Sequence, residues 1–294
     1  MTTANPTVNV ARRSLTAGRA VFRALAIVFL VIGLVVLIYP VVWAVATSFK
    51  SPGEISSNLG LLPEIFTPSN YAEGWSAIPG VPFGRFFLNS LLVAGLTAIG
   101  TVLSSAVAAF AFTRIQFRMR AFWFALMIGT LLLPYHVLIV PHYVIFNELD
   151  WVGTYLPLVV PKFLATEAFF VFLMVQFMRG LPRELDEAAA IDGCGRFRLF
   201  FSIILPLSRP ALVTAAIFSF IWAWNDFFAQ LIFINDPAMY TVPVALNAFI
   251  DSAGQAQLGP MFAMAVLSLV PILVFFVVFQ RLLVEGIATQ GVKG

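Results

Sequence analysis

The sequence predicts an all-α membrane protein with six transmembrane helices and a short polar helix between the fourth and fifth spans. Of the 294 residues, 61% are hydrophobic and 11% are charged, whereas a soluble domain is about 45–50% apolar and about 25% charged. Mean hydropathy is +0.95, and phenylalanine occurs 31 times, as lipid-facing surfaces allow. The single cysteine, Cys194, excludes an internal disulfide and a metal site built on paired thiolates.

Six apolar segments are long enough to cross a hydrocarbon core of about 30 Å. We predict a polar N-terminal segment at 1–23, a membrane domain at 24–283 and a tail at 284–294. Two longer loops, 48–84 and 235–259, are too polar to span, and the first is long enough to pack as a small cap. The predicted spans are Leu25–Thr47, Phe86–Phe112, Phe122–Val144, Tyr155–Phe177, Ala211–Phe233 and Met261–Leu283.

The basic residues predict the orientation. All but three of the 17 lysines and arginines fall before the first span, between spans two and three, between spans four and five, or near the C-terminus. The exceptions are Lys50, Arg85 and Lys162. The positive-inside rule therefore places both termini and the polar helix in the cytoplasm. Because the basic residues are not clustered as a binding face, we expect no nucleic-acid partner.

The polar interruption at 181–210 contains a short helix with clear end signals. Pro182 suits the first turn of a helix, where a missing N–H is tolerated. Gly193 can adopt the left-handed conformation that ends one. Between them lies a helix of about ten residues, roughly 15 Å long. Carboxylates near its start are favoured by the helix dipole, and they are Glu184, Asp186 and Glu187.

This interruption also carries a motif. The sequence reads Glu-Ala-Ala from Glu187, then Gly193, then Ile-Ile-Leu-Pro ending at Pro206. This order resembles the EAA loop of bacterial ABC importer permeases. Asp192 and Phe200, the Trp-Asn-Asp-Phe at 224–227, the outer-loop segment 236–243 and the tail 286–294 are similar to the carbohydrate-uptake branch of that family.

The resemblance implies a six-span permease subunit of an ATP-driven sugar importer in the bacterial cytoplasmic (inner) membrane. It implies a second, different permease subunit, two copies of an ABC ATPase subunit and an extracytoplasmic solute-binding protein. Because no G-x-x-x-x-G-K-[ST] phosphate loop occurs, ATP and Mg are expected to be handled by the ATPase. This chain is then expected to bind no cofactor and not to be an enzyme.

The resemblance further implies that the EAA loop couples the permease to the ATPase and that the tail contacts the ATPase subunits. The coupling residues are Glu184, Glu187, Ala188, Ala189, Asp192, Gly193, Phe200, Leu205 and Pro206. The two alanines are expected to form a shallow face that a partner can approach closely. The tail residues are Gln290, Gly291 and Lys293.

Four residues of the fifth span are candidates for the substrate pathway. Asn225 and Asp226 are polar at membrane depth, where polar groups usually face a cavity or another helix. Trp222 and Phe218 place aromatic rings nearby, a combination that suits a sugar. The alternative is that Asn225 and Asp226 are structural and bond a neighbouring helix or the partner permease.

The two histidines, His136 and His142, flank a proline in the third span. Six residues apart, they do not share one helical face cleanly, and no cysteine or carboxylate pair completes a metal site. We predict helix-end hydrogen bonding and no metal.

Two alternative functions remain open. A permease for a glycerol phosphate or polyol would share the same architecture, but an anion would require Arg or Lys at the cavity, and the one arginine within a predicted span, Arg281, lies at its cytoplasmic end. A stand-alone secondary transporter would show inverted repeats and ionisable residues at mid-membrane. The sequence shows no obvious repeat, and its candidate carboxylates are Asp226 and Glu167.

Overall fold

The computed structural model describes residues 7–58, 60–253 and 257–288, and within these ranges the chain forms helices and no strand. The predicted all-α fold is confirmed. The first helices are α1 (Thr7–Thr47), α2 (Pro52–Ser57), α3 (Ser69–Trp75), α4 (Phe83–Arg114), α5 (Arg120–Thr130), α6 (Tyr135–Glu148), α7 (Leu156–Val159) and α8 (Ala168–Arg179). They are followed by α9 (Glu184–Ile191), α10 (Arg196–Leu199), α11 (Leu205–Leu207), α12 (Arg209–Asn225), α13 (Phe228–Phe233), α14 (Val242–Ala253) and α15 (Leu258–Ala288). A 3-10 helix follows α7 (Val160–Leu164), a π-helical turn precedes α11 (Phe200–Ile204), and a 3-10 turn precedes α14 (Pro237–Met239).

The apolar helices account for the predicted number of spans. Four segments are long and apolar enough to cross a membrane by themselves: Phe22–Thr47, Phe83–Arg114, Leu156–Arg179 and Leu258–Phe279. Two further candidates are bent pairs, α5 with α6 at 102° and α10–α11 with α12 at 74°. Six spans result when each bent pair is counted as one. Helix α1 begins within the segment predicted to precede the membrane, and α15 extends beyond the predicted end of the last span.

Three predicted spans are interrupted rather than continuous. The third breaks before Pro134, whose extended backbone (ψ 127°) precedes α6, because proline disfavours helix in the residue before it. The fourth breaks at Ala165, which adopts a left-handed conformation with φ 56°. The fifth ends at Asn225 because Asp226 turns extended (ψ 105°) before α13 begins. Pro271, by contrast, lies inside α15 without ending it.

Helix α4 is the axis of the molecule. It is 32 residues long, which corresponds to about 48 Å. Phe86 and Ala94 pack in a cluster with α12, α14 and α15. Ala106 and Phe110 pack in a second cluster with α8 and the π-helical turn. Val93 belongs to a third cluster with α6, α7 and α13. One continuous helix therefore joins all three cores.

The loop between α1 and α4 folds as a small cap, as its composition predicts. The buried amide of Asn70 donates to the carbonyl oxygens of Ser48 and Lys50, at 2.8 and 2.9 Å. The ammonium of Lys50, itself buried, donates to the carbonyl oxygens of Asn58 and Gly60. These bonds satisfy backbone carbonyls in a segment without long helices.

The loop before α14 is fastened to the same end of α4. The Asn89 amide donates to the carbonyl oxygens of Ala238 and Tyr240, at 3.0 and 2.9 Å. The hydroxyl of Ser90 accepts from the backbone N–H of Val242 at 2.8 Å. Both long loops therefore lie at the end of the molecule where α4 begins.

Two glycines of α4 provide a test of this packing. A Cβ at Gly100 would lie 2.6 Å from Cδ2 of Phe163, so the ring and its 3-10 helix would have to shift. Overpacking of this kind costs about 1–3 kcal/mol. We expect Gly100→Ala to lower the melting temperature of the purified protein in detergent. In Gly95→Ala, the matched control, the new Cβ meets nothing within 4 Å, and the gain in helix propensity is up to about 1 kcal/mol. Equal melting temperatures for the two variants would contradict the close contact.

Candidate functional site

Helix α9 forms within the polar interruption as predicted. Its first turn contains the three carboxylates Glu184, Asp186 and Glu187, where the helix dipole favours negative charge. Its end is a Schellman motif: the N–H of Cys194 donates to Ala189 O at 2.8 Å, and that of Gly193 donates to Ala190 O at 3.1 Å. This motif requires a left-handed residue, and Gly193 supplies it with φ 71°.

The two faces of α9 differ in exposure. Glu184, Glu187, Ala188 and Ile191 are exposed at the three- and four-residue spacing of one helical face, and Ile191 is 87% exposed. Ala189 is 4% exposed and turns inward. The expectation that Ala188 and Ala189 form one shallow face is therefore wrong, because successive helical residues point about 100° apart.

The other predicted coupling residues are divided between surface and core. Asp192 and Gly193 are exposed at the end of α9. Phe200 is buried, with its ring 5.0 Å from that of Phe110, so it packs in the core rather than on a docking surface. Leu205 and Pro206 lie in α11, where Leu205 is partly buried and Pro206 is exposed. The tail residues Gln290, Gly291 and Lys293 lie outside the described residues.

An ion pair joins α9 to the end of α4. The Nε atom of Arg114 lies 3.1 Å from Oδ2 of Asp186, and the Arg114 side chain is 4% exposed. The same guanidinium donates through Nη2 to the carbonyl oxygen of Leu181 at 3.0 Å. Arg114 thus contacts both the start of α9 and the segment that leads into it.

A cavity of about 390 Å³ opens where the three interrupted spans meet. Tyr135 comes from the start of α6, Lys162 and Glu167 from the break before α8, and Asp226 from the break after α12. In a membrane, irregular backbone is tolerated where it is covered by protein or lines a cavity. The lining comprises Val93, Thr97, Thr101, Tyr135, Leu158, Lys162, Glu167, Phe170, Ser219, Ile221, Trp222, Ala223, Asn225, Asp226 and Gln230.

The charged groups of the cavity are partnered within the chain. The Lys162 ammonium forms an ion pair and hydrogen bond with the Glu167 carboxylate. Asp226 accepts from the N–H of Ala229 at 3.1 Å and so caps α13. Thr101 differs: its buried hydroxyl has no hydrogen-bond partner among the described residues.

Three of the four predicted pathway residues line the cavity. Trp222 also packs on Phe169 and Phe170, with ring centres 5.1 and 5.0 Å away. The Asn225 amide donates to Ile221 O at 2.8 Å, within its own helix. Phe218 lies outside the lining. These bonds are local to α12 and the start of α13. The structural role predicted for Asn225 and Asp226, bonding to a neighbouring helix or the partner permease, and their contact with solute both stay predictions.

Sequence reasoning missed several polar cavity residues. Gln230 donates to Ala223 O at 2.8 Å and also hydrogen bonds the Thr241 hydroxyl, bridging the break after α12. Tyr135 and Lys162 were not candidates either, and Glu167 was considered only as an ionisable group for the secondary-transporter alternative. The sequence signal that could have identified these cavity residues is a polar side chain inside an apolar span, close to a proline or to another polar residue.

The two histidines make ring contacts. His136 lies 4.9 Å from Phe228 and His142 lies 5.8 Å from Phe146, measured between ring centres. In the described part of the chain, no three His, Cys, Asp or Glu side chains gather in a way that could hold a metal ion.

Comparison with known proteins identifies the family. Residues 100–288 match the family model described as "Binding-protein-dependent transport system inner membrane component". The chain belongs to this family. One relative is the probable ABC transporter permease protein YurM of Bacillus subtilis. It is 36% identical over 267 residues, which cover 91% of this chain and 87% of YurM.

Two further relatives of the permease have named solutes. The trehalose/maltose transport system permease protein MalG of Thermococcus litoralis is 32% identical, with 92% of this chain and 97% of MalG covered. The sn-glycerol-3-phosphate transport system permease protein UgpE of Brucella abortus is 33% identical, with 88% and 93% covered.

A solved structure shares the fold of this permease. The structure of a bacterial ABC transporter involved in the import of the acidic polysaccharide alginate contains a chain that matches with a TM-score of 0.77. The match covers 90% of this chain and 97% of that chain at 18% identity. The family match and the relatives show that the protein is an ABC importer permease, an integral inner-membrane protein of a family of transport permeases, and the solved structure has the same fold. Membership implies ATPase and solute-binding partners.

The ion pair of the cavity can be tested by a double-mutant cycle. Lys162→Met and Glu167→Gln each leave one ionisable partner unpaired at membrane depth, so we expect each to lower the melting temperature. The double variant removes both charges and should recover stability, with a coupling energy of roughly 0.5–3 kcal/mol. Additive losses would show that the two groups do not interact.

Proposed function

We propose that this permease is one half of the pathway of an ATP-driven carbohydrate importer and that α9 is its contact with the ATPase. The observation that carries the proposal is the exposed face of α9. Glu184 and Glu187 offer two carboxylates to a basic partner, and Ala188 allows close approach. Ile191 adds an apolar side chain that the described residues leave uncovered.

The basic residues support a cytoplasmic position for this end of the molecule. The turn after α4 and the segment around α9 lie together, because Arg114 contacts Asp186 and the guanidinium of Arg179 lies 4.8 Å from the ring centre of Phe124. Their arginines therefore form one positive end. The positive-inside rule then orients both termini toward the cytoplasm and the two long loops toward the solute-binding protein.

The cavity favours a neutral, hydroxyl-rich solute. Trp222 offers an aromatic surface, and Thr101 offers a buried hydroxyl that none of the described residues hydrogen bonds. The lining also contains the one cation Lys162 and the two carboxylates Glu167 and Asp226. A sugar can bond such groups without bringing a charge of its own, and sugar uptake is named for the relative MalG.

A glycerol phosphate is the second candidate, because UgpE is a relative and Lys162 lines the cavity. Lys162 is already paired with Glu167, and Asp226 adds a further carboxylate, so an anion would meet more negative than positive groups. The charge of the lining therefore favours the sugar. Family membership gives no support to a stand-alone secondary transporter.

The proposed complex contains a second, different permease, two ATPase subunits and a solute-binding protein. The apolar segment Phe22–Thr47 supports a further membrane partner, since the described residues bury none of its most apolar window; lipid or the second permease would cover it. ATP and Mg would be bound by the ATPase subunits. The tail residues Gln290, Gly291 and Lys293 are proposed to reach between those subunits.

The ATPase contact predicts a charge-reversal phenotype. Glu187→Lys replaces a carboxylate on the exposed face with a cation, so it should repel a basic partner. In the reconstituted complex, we expect solute uptake per ATP hydrolysed to fall by roughly tenfold, equivalent to about 1.4 kcal/mol. Glu148→Lys, an exposed glutamate at the end of α6, is the matched control and should leave uptake unchanged. Normal uptake by Glu187→Lys would remove Glu187 from the contact.

The solute pathway predicts a role for one tryptophan. Trp222→Ala removes the aromatic surface from the cavity, and we expect the maximal uptake rate to fall by roughly tenfold. Trp123→Ala removes an exposed tryptophan of α5 that lies outside the cavity lining and should change uptake little. If Trp222→Ala left uptake and solute-stimulated ATPase activity unchanged in an intact complex, Trp222 would have no direct role.

A further inference from the structure

We propose that Arg114 is the positioning residue that transmits the movement of α9 to the cavity, through its ion pair with Asp186. The proposal rests on the proposed function, in which α9 is the contact with the ATPase. It adds a specific link inside this chain between that contact and the solute pathway.

In the described structure, one ion pair joins the inner face of α9 to the membrane helices. The Arg114 guanidinium lies 3.1 Å from Asp186 and is 4% exposed, whereas the Asp186 side chain is 24% exposed. Neither Oδ1 of Asp186 nor Nε of Arg114 has a hydrogen-bond partner among the described residues, so the contact between the two side chains is an ion pair rather than a hydrogen bond. The charge of Asp186 is therefore balanced by Arg114 on this face.

Arg114 holds the connection at two points. Besides the ion pair, its Nη2 donates to Leu181 O at 3.0 Å, just before α9 begins. The guanidinium fork can contact two oxygens at once because its donors lie in one rigid plane. A lysine would offer a single flexible ammonium instead. The start of α9 and the segment leading into it must therefore move with the end of α4.

The segments on either side of α9 are also fixed to α4. Before it, Met174 and Met178 of α8 are buried in the same cluster as Ala106 and Phe110 of α4. After it, Ile204 is fully buried in that cluster. The segments before and after α9 therefore make apolar contacts with α4, and the ion pair lies between these two contacts.

The other half of the link is α4 itself. Val93, Thr97 and Thr101 line the cavity at a four-residue spacing that places them on one helical face. Arg114 lies 13 residues after Thr101 on the same unbroken helix, which is about 20 Å of helix. A displacement of Arg114 thus shifts or rotates the cavity wall, since no break intervenes.

The test uses the whole importer reconstituted in lipid vesicles with its solute-binding protein. Three variants are compared: Arg114→Lys, Asp186→Asn, and the double variant Arg114→Met/Asp186→Leu. Arg118→Gln is the control, since it removes an exposed positive charge from the turn that follows α4. Assembly is measured by co-purification, and coupling is measured as solute taken up per ATP hydrolysed.

We expect the variants to assemble and to lose coupling by roughly 2- to 30-fold, while the control keeps it. The double variant distinguishes a role of the pair in positioning α9 from a role in the stability of the protein. Apolar replacement of a buried pair often preserves stability, so a purely structural pair would leave this variant fully coupled. Assembled but uncoupled double variants support the proposal.

Two results would overturn it. The first is normal coupling in any assembled variant of the pair. The second is failure of all three variants to assemble, which would show that the pair builds the complex rather than transmits movement. Failure of the proposed function has a different signature: uptake by the wild-type complex would not depend on ATP, whatever the pair variants do.

Discussion

Helix α4 is the constraint on which the rest of the structure depends. It is the helix whose side chains enter all three apolar cores, so the positions of the other spans are set by contact with it. Gly100 and Ser104 show how close that contact is: a Cβ at Gly100 would overlap Phe163, and the Ser104 hydroxyl donates to Lys162 O at 2.7 Å. Such small residues allow helices to approach within a membrane.

The interruptions of the third, fourth and fifth spans, which surround this unbroken helix, have a common structural effect. Breaks before α6, before α8 and after α12 release backbone groups and bring polar side chains to one cavity. Hydrocarbon would leave those groups unsatisfied; here Asp226 caps α13 and Gln230 bridges to Ala223 O. The cavity therefore lies beside α4, which runs without a break to the ion pair with α9.

Local signals predicted some of this structure and not the rest. Helix α9 was predictable because its end signals, the first-turn carboxylates and Gly193, act within a few residues. The break at Ala165 was not predictable from local signals. Its Cβ makes the left-handed conformation unfavourable, so tertiary packing must hold it there. The pairing of Lys162 with Glu167 depends on that same break. The inward position of Ala189 follows from helical spacing: successive residues point about 100° apart, so Ala188 and Ala189 cannot face the same partner.

The measurement that tests the account most directly is photo-crosslinking from two neighbouring positions of α9 in the assembled complex. A photoreactive side chain replaces Ala188 in one protein and Ala189 in another. Since Ala188 is exposed and Ala189 is buried, the account predicts a crosslink to the ATPase chain from position 188 and crosslinks within the permease from position 189. An ATPase crosslink from 189 but not 188, or from neither position in an intact complex, would contradict the assignment of this face as the ATPase contact.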